Sequence, residues 1–258
     1  MELMTQIIIS GILSLALSVI AYKLRMLTFT GALASLFVGY TVGVFGSLEW
    51  LILLIAFTFV GLAVTRMDLS EKNRHGLQEG NFGERSHKNV LGVGIPAVLF
   101  AFLYGIVLYS IDHQYLLISY KAAELALTVA FITTLTVAAA DTVASEIGIR
   151  DKKVWLITTF ERVKRGTNGG VSVLGTAASV AASTFTAVVG WLLIFKGIDA
   201  YVLIPIAMGV LGNIIDSILG ATIEKNGKVS KFVNNSVSAI IAATIGLFLV
   251  LYLKGVLF

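Results

Sequence analysis

Cysteine is absent from the 258 residues, so no disulfide framework, thiolate metal site or cysteine nucleophile is available. There are two prolines, Pro96 and Pro205, and both fall inside apolar stretches, where they are expected to kink helices without ending them. The histidines His75, His87 and His113 stand far apart with no zinc-ligand spacing, and each reads as a solvated loop residue. Charge is scarce at 13% of the chain. No basic patch interleaved with aromatics stands outside the apolar segments, which excludes nucleic acid as a partner.

What fills the chain is hydrophobic. Apolar residues make up 57% of it and the mean hydropathy is +0.91, far from a soluble average. The charges are clustered and leave runs long enough to cross a hydrocarbon core, which takes ~20 residues. Spans fall at about 3–22, 29–47, 50–66, 90–111, 122–140, 171–195, 200–221 and 233–253. The reading is an all-α, polytopic membrane bundle of eight helices, a single transmembrane domain over residues 1–258 with no space for a soluble one. The first run resembles a signal peptide in length. However, Glu2 replaces the basic leader, and Lys23 and Arg25 follow as stop-transfer charges, so it reads as a retained helix.

The basic residues orient the bundle. Of the 19 Lys and Arg, 16 lie in the connections after the first, third, fifth and seventh spans, and only Lys121, Lys196 and Lys254 lie on the other side. This places those connections in the cytoplasm and both termini outside a cell membrane. The connections on that face are long, at about 67–89 and 141–170, and loops of that length are usually functional. Their dense mixed charge favours order over disorder, and the working face is therefore expected to be cytoplasmic.

Two spans carry acids, which are costly inside a membrane and usually face a cavity or a partner. They are "TLTVAAADTVASEIG" and "GVLGNIIDSILGATIE", and Asp141-Thr142 aligns with Asp216-Ser217. Thr134, Ala138, Asp141 and Ser145 share one helix face; Gly209, Asn213, Asp216 and Gly220 share another, with Ser217 beside Asn213. Ion pairs with Lys or Arg, a proton or sodium relay, and a shared divalent-metal site are all consistent with this pattern. For the metal reading, Asp141 and Asp216 supply the hard oxygen ligands that Mg²⁺ takes beside substrate phosphates. Glu146 lies 140° around from Asp141 on an ideal helix, so it joins only if the helix unwinds, which Gly148 would allow.

Between these spans runs "ERVKRGTNGGVSVLGT". Glycines let backbone N–H groups converge, a helix N-terminus adds positive dipole, and Lys164 and Arg165 add full charge. The loop Gly166, Thr167, Asn168, Gly169 and Gly170, with Ser172 and Thr176 on the following turns, reads as an anion cradle. Gly169→Val is expected to block phosphate approach in a protein that still folds. No Walker or dinucleotide fingerprint occurs. Gly31, Ser35, Gly39 and Gly43, and likewise Gly175, Ser179 and Ser183, form small-residue ridges for close helix contact. A groove for a lipid tail along such a ridge is the sharper alternative.

Taken together, "DTVASEIG", "VKRGTNGGVSVLGT" and "GNIIDSILGAT", with "YKLRMLTFTGALAS" and "GERSHKNVLGVG", resemble the membrane family that includes plant phytyl-phosphate kinase and animal transmembrane protein 19. The resemblance runs from about residue 20 to 245. It is distantly similar as well to membrane cytidylyltransferases and dolichol kinase. It implies phosphoryl transfer from a nucleoside triphosphate, CTP being characteristic, to a prenyl monophosphate.

Position by position, Asp141, Ser145 and Glu146 match an acidic D-[ST]-x-x-S-E motif. Lys164 to Gly170 match a P-R-G-T-x-G loop, with Lys164 in place of the proline. Asp216 and Ser217 match D-S-x-x-G-A, and Asn234 matches an Asn at the start of the last helix. The implied catalytic set is Asp141, Glu146, Asp216, Lys164 and Arg165. The nucleotide and its phosphates fall to Gly166–Gly170, Ser172, Ser145, Ser217, Asn213 and Asn234. Mg²⁺ falls to Asp141 and Asp216, and the acceptor phosphate to Arg85 and Lys88, where Glu84-Arg85-Ser86 replaces a more basic run. A cytidylyltransferase on a lipid phosphate and a cation- or proton-coupled transporter are the alternatives. A homodimer is compatible with each.

The charge asymmetry generates a direct test. Reporters of cytoplasmic exposure fused to either terminus should stay silent, and signal from either one reverses the orientation.

Overall fold

The computed structural model describes residues 3–66, 84–114 and 118–256. Among them run eight α-helices: α1 (Leu3–Lys23), α2 (Phe29–Phe45), α3 (Leu48–Arg66), α4 (His87–Asp112), α5 (Tyr120–Gly148), α6 (Val173–Phe195), α7 (Leu203–Leu219) and α8 (Lys231–Leu253). Seven helical segments are long and apolar enough to cross a membrane. The eighth, α2, has 17 residues, at the short end of the spanning range.

Several boundaries differ from the hydropathy reading. The helix α5 continues through Gly148, well past residue 140, so the connection expected over 141–170 occupies only 149–172. Polar residues there line a cavity, so the fall in hydropathy does not end the helix. The connection at 67–89 is shortened too, because His87 already belongs to α4. Its residues 67–83, including Lys72, Arg74 and His75, lie outside the described residues. The chain is not wholly helical either: strands β1 (Trp155–Leu156) and β2 (Gly170–Val171) pair antiparallel within the 149–172 connection. Around α7, a 3-10 turn at Ala200–Val202 precedes the helix and a π-helix at Gly220–Glu224 follows it. Pro96 lies inside α4, but Pro205 sits in the first turn of α7, where its missing N–H breaks no helical bond.

At the centre is α5, which packs against α3, α4, α6, α7 and α8. In its most apolar 18-residue stretch 89% of the residues are buried, against 17% in that of the peripheral α1. Val129, Ala130, Phe131, Ile132 and Leu135 are fully enclosed, and Trp50 of α3 stacks on Phe131 at 4.1 Å between ring centroids. Threonine hydroxyls on such a helix have no water, and an unpaired one would cost a few kcal/mol. Three of them bond to carbonyls: Thr133 Oγ1 donates to that of Val129 at 2.8 Å and Thr134 Oγ1 to that of Phe131 at 2.7 Å. Thr136 Oγ1 reaches across to the Pro205 carbonyl of α7 at 3.0 Å as well as to its own helix.

The ridge on α2 makes close helix contact. A Cβ on Gly39 would lie 2.9 Å from Ser14 Oγ, and Ser18 and Ser35 hydroxyls bond at 2.8 Å. These pairings run α1 and α2 antiparallel with their backbones close together, the geometry that small residues permit in lipid. The same logic joins α5 to α6, where Gly148 and Gly175 meet: a Cβ on Gly148 would lie 3.3 Å from Gly175 Cα. Gly148 thus serves a helix crossing and no unwinding occurs there.

Gly43→Ala tests the α1–α2 seam, because the new methyl would meet Ser10 Oγ at 2.5 Å and its Cβ at 2.8 Å. Overpacking of this kind costs ~1–3 kcal/mol, so the unfolding midpoint in detergent should fall. Adding Ser10→Gly should restore most of the loss. No recovery in the double variant would mean that the seam is not the cause.

Candidate active site at the loop end of the bundle

The ends of α2, α3 and α4, the C-terminal part of α5, the 149–172 connection and the facing ends of α6, α7 and α8 enclose a cavity of about 760 Å³. From α5 it takes Asp141, Ser145 and Glu146; from α7, Asn213, Asp216 and Ser217. Arg165, the run Gly166–Gly170 and Ser172 form a further wall, and Arg85 and Lys88 face in from the start of α4. Glu146 lines the cavity although α5 stays helical to Gly148, so unwinding is not needed. Two residues singled out in the sequence lie elsewhere. Lys164 is exposed and outside the lining. Asn234 is 2% exposed behind it.

Asn234 has a structural task. Its Nδ2 donates to the Asp216 carbonyl at 3.1 Å and to Glu224 Oε2 at 2.8 Å. The other carboxylate oxygen of Glu224 accepts from Asn168 Nδ2 of the glycine-rich loop at 2.9 Å. One carboxylate on the π-helix thereby ties the loop to α8. Asp216 itself is held from α8: Ser238 Oγ donates to its Oδ1 at 3.3 Å, and the Asn235 amide donates to the same oxygen at 3.2 Å. The carboxylates of Asp141 and Glu224 and the ammonium of Lys231 lie within electrostatic reach of Asp216. Lys231, Asn235 and Ser238 of this inner layer carried no site role in the sequence reading. Their signal was present as polar groups at helical spacing, Lys231, Asn235 and Ser238 at i, i+4 and i+7 in an apolar span.

The loop is built differently from a simple anion cradle. Thr167 N–H donates to the Lys164 carbonyl at 3.2 Å and Gly170 N–H to that of Thr167 at 2.8 Å, so both are spent on the loop's own turns. Among the described residues, the N–H groups of Gly166, Asn168 and Gly169 make no hydrogen bond. The start of α6 is also capped from within. Ser172 Oγ accepts from Gly175 N–H at 3.0 Å, and Asp151 Oδ2 accepts from Leu174 N–H at 3.3 Å. Bonds from the Lys153 and Leu174 N–H groups hold the Asp151 carboxyl below its ordinary pKa. The positive end of α6 is thus already met by an anion of the protein. Gly169, at φ 75°, packs on the end of α7: a Cβ there would collide with Ala221 and lie 2.6 Å from the Ser217 carbonyl. The expectation that Gly169→Val leaves the fold intact is therefore corrected.

Arg85 is fixed by its backbone, which lies across the start of α2: Arg85 N–H donates to Met26 O at 3.0 Å and Thr28 N–H to Arg85 O at 3.2 Å. Its guanidinium donates to Thr65 Oγ1 of α3 at 3.0 Å. Ser86 and Asn89 cap α4, Asn89 Oδ1 accepting from Ser86 N–H at 3.1 Å and from Ser86 Oγ at 2.8 Å.

The family described as integral membrane protein DUF92 matches residues 12–250. The chain belongs to that family. An uncharacterised membrane protein of Methanocaldococcus jannaschii is 32% identical over 247 residues, covering 95% of both chains. Protein VTE6, a chloroplastic protein of Arabidopsis thaliana, is 30% identical over 210 residues, 78% of this chain and 59% of that one. Protein PGR of the same plant is 30% identical over 239 residues, 86% of this chain and 80% of its own. No solved structure matches.

For Mg²⁺ the donor set of this DUF92 protein fits in part. Asp141 and Asp216 both line the cavity, and Asp216 Oδ2 makes no hydrogen bond among the described residues. Among the same residues no three His, Cys, Asp or Glu side chains converge as a cage. A divalent ion held by the two aspartates would take its other ligands from water and substrate phosphates, the usual arrangement for Mg²⁺.

Gly169→Ala separates packing from ligand binding. A left-handed residue with a side chain costs ~1–3 kcal/mol, and the collision with Ala221 adds to it. The variant should unfold at lower temperature in detergent with no ligand present. An unchanged midpoint beside weakened nucleotide affinity would mean that the absent side chain makes room for a phosphate and not for the end of α7.

Proposed function

We propose that this protein is a membrane kinase that transfers a phosphoryl group from a nucleoside triphosphate, CTP by the sequence resemblance, to an isoprenyl monophosphate. The observation that carries the reading is that Asp141, Asp216, Arg165, the glycine loop, Arg85 and Lys88 all line one cavity at one end of the bundle. Family membership and the VTE6 likeness support it. We place the cavity on the cytoplasmic side, on the distribution of 16 of 19 basic residues.

In this mechanism an oxygen of the acceptor monophosphate attacks the γ-phosphorus. The bond from that phosphorus to the β–γ bridging oxygen breaks, and the nucleoside diphosphate leaves with the electron pair. The acceptor is already an anion at neutral pH, so no strong general base is required, and no histidine need stand nearby. Arg165 and the Gly166, Asn168 and Gly169 N–H groups neutralise charge on the transferring group. Arg85, preset by Thr65, holds the acceptor phosphate together with Lys88. Asp216 is oriented by Ser238 and Asn235, and the Asn168–Glu224–Asn234 bridge keeps the loop against α7. Bound Mg²⁺ supplies charge neutralisation on the triphosphate.

Purified protein given labelled CTP and a prenyl monophosphate should yield CDP and the prenyl diphosphate. Pyrophosphate with a CDP-lipid would show a cytidylyltransferase instead, and nucleotide-independent uptake into vesicles a transporter. In the kinase, Asp141→Asn and Asp216→Asn should each lower turnover by roughly 10²-fold or more, with unfolding midpoints near wild type. Near-normal turnover in both would remove the pair from the mechanism.

A further inference from the structure

A second cavity, of about 100 Å³, lies among α1, α2, α3 and α4. Its walls are apolar, including Leu17, Leu27, Leu54 and Phe57, and small residues keep it open. On α1 the lining runs from Ser14 to Ala21, a length of ~10 Å at the rise of a helix. Gly94 lets α4 close against α2 beside the slot: a Cβ there would meet Val38 Cγ2 at 2.5 Å.

The two ends of this slot differ. One is closed where Gly39 meets Ser14, with Leu51 Cδ1 3.5 Å from the Cβ that Gly39 lacks. At the other, Arg85, Asn89 and Val93 line both this slot and the large polar cavity. An apolar slot that opens beside a guanidinium onto a polar cavity has the polarity of a single-chain lipid phosphate.

We propose that this slot receives the isoprenoid chain of the acceptor from its phosphate end, and that its closed end discriminates among chain lengths. Arg85 at the mouth holds the phosphate within the large cavity while the chain lies between α1 and α3. The identity of the acceptor rests on the kinase reading above; the slot and its closed end rest on geometry alone. The depth of the slot is a packing property of the α1–α2 seam and of Leu51 and Leu54. Side-chain volume along it therefore sets which acceptors fit.

Two variants change that volume in opposite directions, Ser35→Leu filling the slot and Leu54→Ala enlarging it. With geranyl, farnesyl and geranylgeranyl monophosphates as acceptors, Ser35→Leu should raise KM for the longest at least ~10-fold more than for the shortest, the scale at which apolar volume discriminates substrates. Leu54→Ala should shift preference the other way. An unchanged ranking of acceptors in both folded variants overturns the proposal. A wild-type protein that phosphorylates none of them defeats the kinase reading instead. The slot is then decided by a farnesyl phosphate carrying a diazirine at its tail: labelling of Leu17, Leu54 or Phe57 supports it, and labelling confined to outward residues of α1 such as Ile12 and Leu15 overturns it. The same labelling decides the matter if Ser35→Leu does not fold.

Discussion

Enclosure of α5 on every side is the constraint around which the other elements are arranged. A helix surrounded by five others can carry only side chains that interlock or bond to themselves. Its middle accordingly holds Val129 to Leu135 with no exposure and threonines whose hydroxyls turn back onto carbonyls. Charge is tolerated only where that enclosure ends, which is where Asp141 and Glu146 stand. The position of the acids is thus a result of helix burial as much as of chemistry. Apart from the start of α2, the other α-helical walls of the cavity belong to elements that pack on this helix.

The remaining walls are held by polar bonds in place of apolar packing. Asn234, buried among helices, spends its amide on Asp216 and Glu224; Glu224 in turn takes Asn168. Such a network, complete except at Asn234 Oδ1, which has no partner among the described residues, costs much when a member is lost, because the others are left buried without partners. It explains how a loop with few apolar contacts can be held in one place at a membrane surface.

Much of this arrangement was legible in the sequence, and the reasons are specific. The eight helices announce themselves because a long continuous apolar run can cross hydrocarbon only with its backbone bonded within the segment, as a helix, so hydropathy locates them. Asp141 and Asp216 stand out because an acid in an apolar run is anomalous. Glycine is ambiguous by contrast: it reads the same whether the missing Cβ makes room for a phosphate or for a neighbouring backbone. Gly169 and Gly148 belong to the second case, at Ala221 and Gly175. The end of α5 was misplaced because hydropathy falls at Asp141 while the hydrogen-bond ladder does not. Glu224 ends the stretch "GVLGNIIDSILGATIE", but nothing local shows that a π-helix turns it toward Asn168 and Asn234.

The Gly148–Gly175 crossing has a mechanical consequence. With the two backbones in direct contact, the end of α5 and the beginning of α6 behave as one stiff jaw that carries Asp141, Glu146 and the capped start of α6 together. The Ser172 hydroxyl beside the contact is itself held by the Gly175 N–H. Compliance in the cavity must therefore reside across from this jaw, where the Arg85 backbone bonds to Met26 and Thr28 ahead of α2 and its guanidinium to Thr65 of α3. Traffic of a bulky amphiphile would be admitted by flexing of α2, α3 and α4 against an immobile α5–α6 anvil.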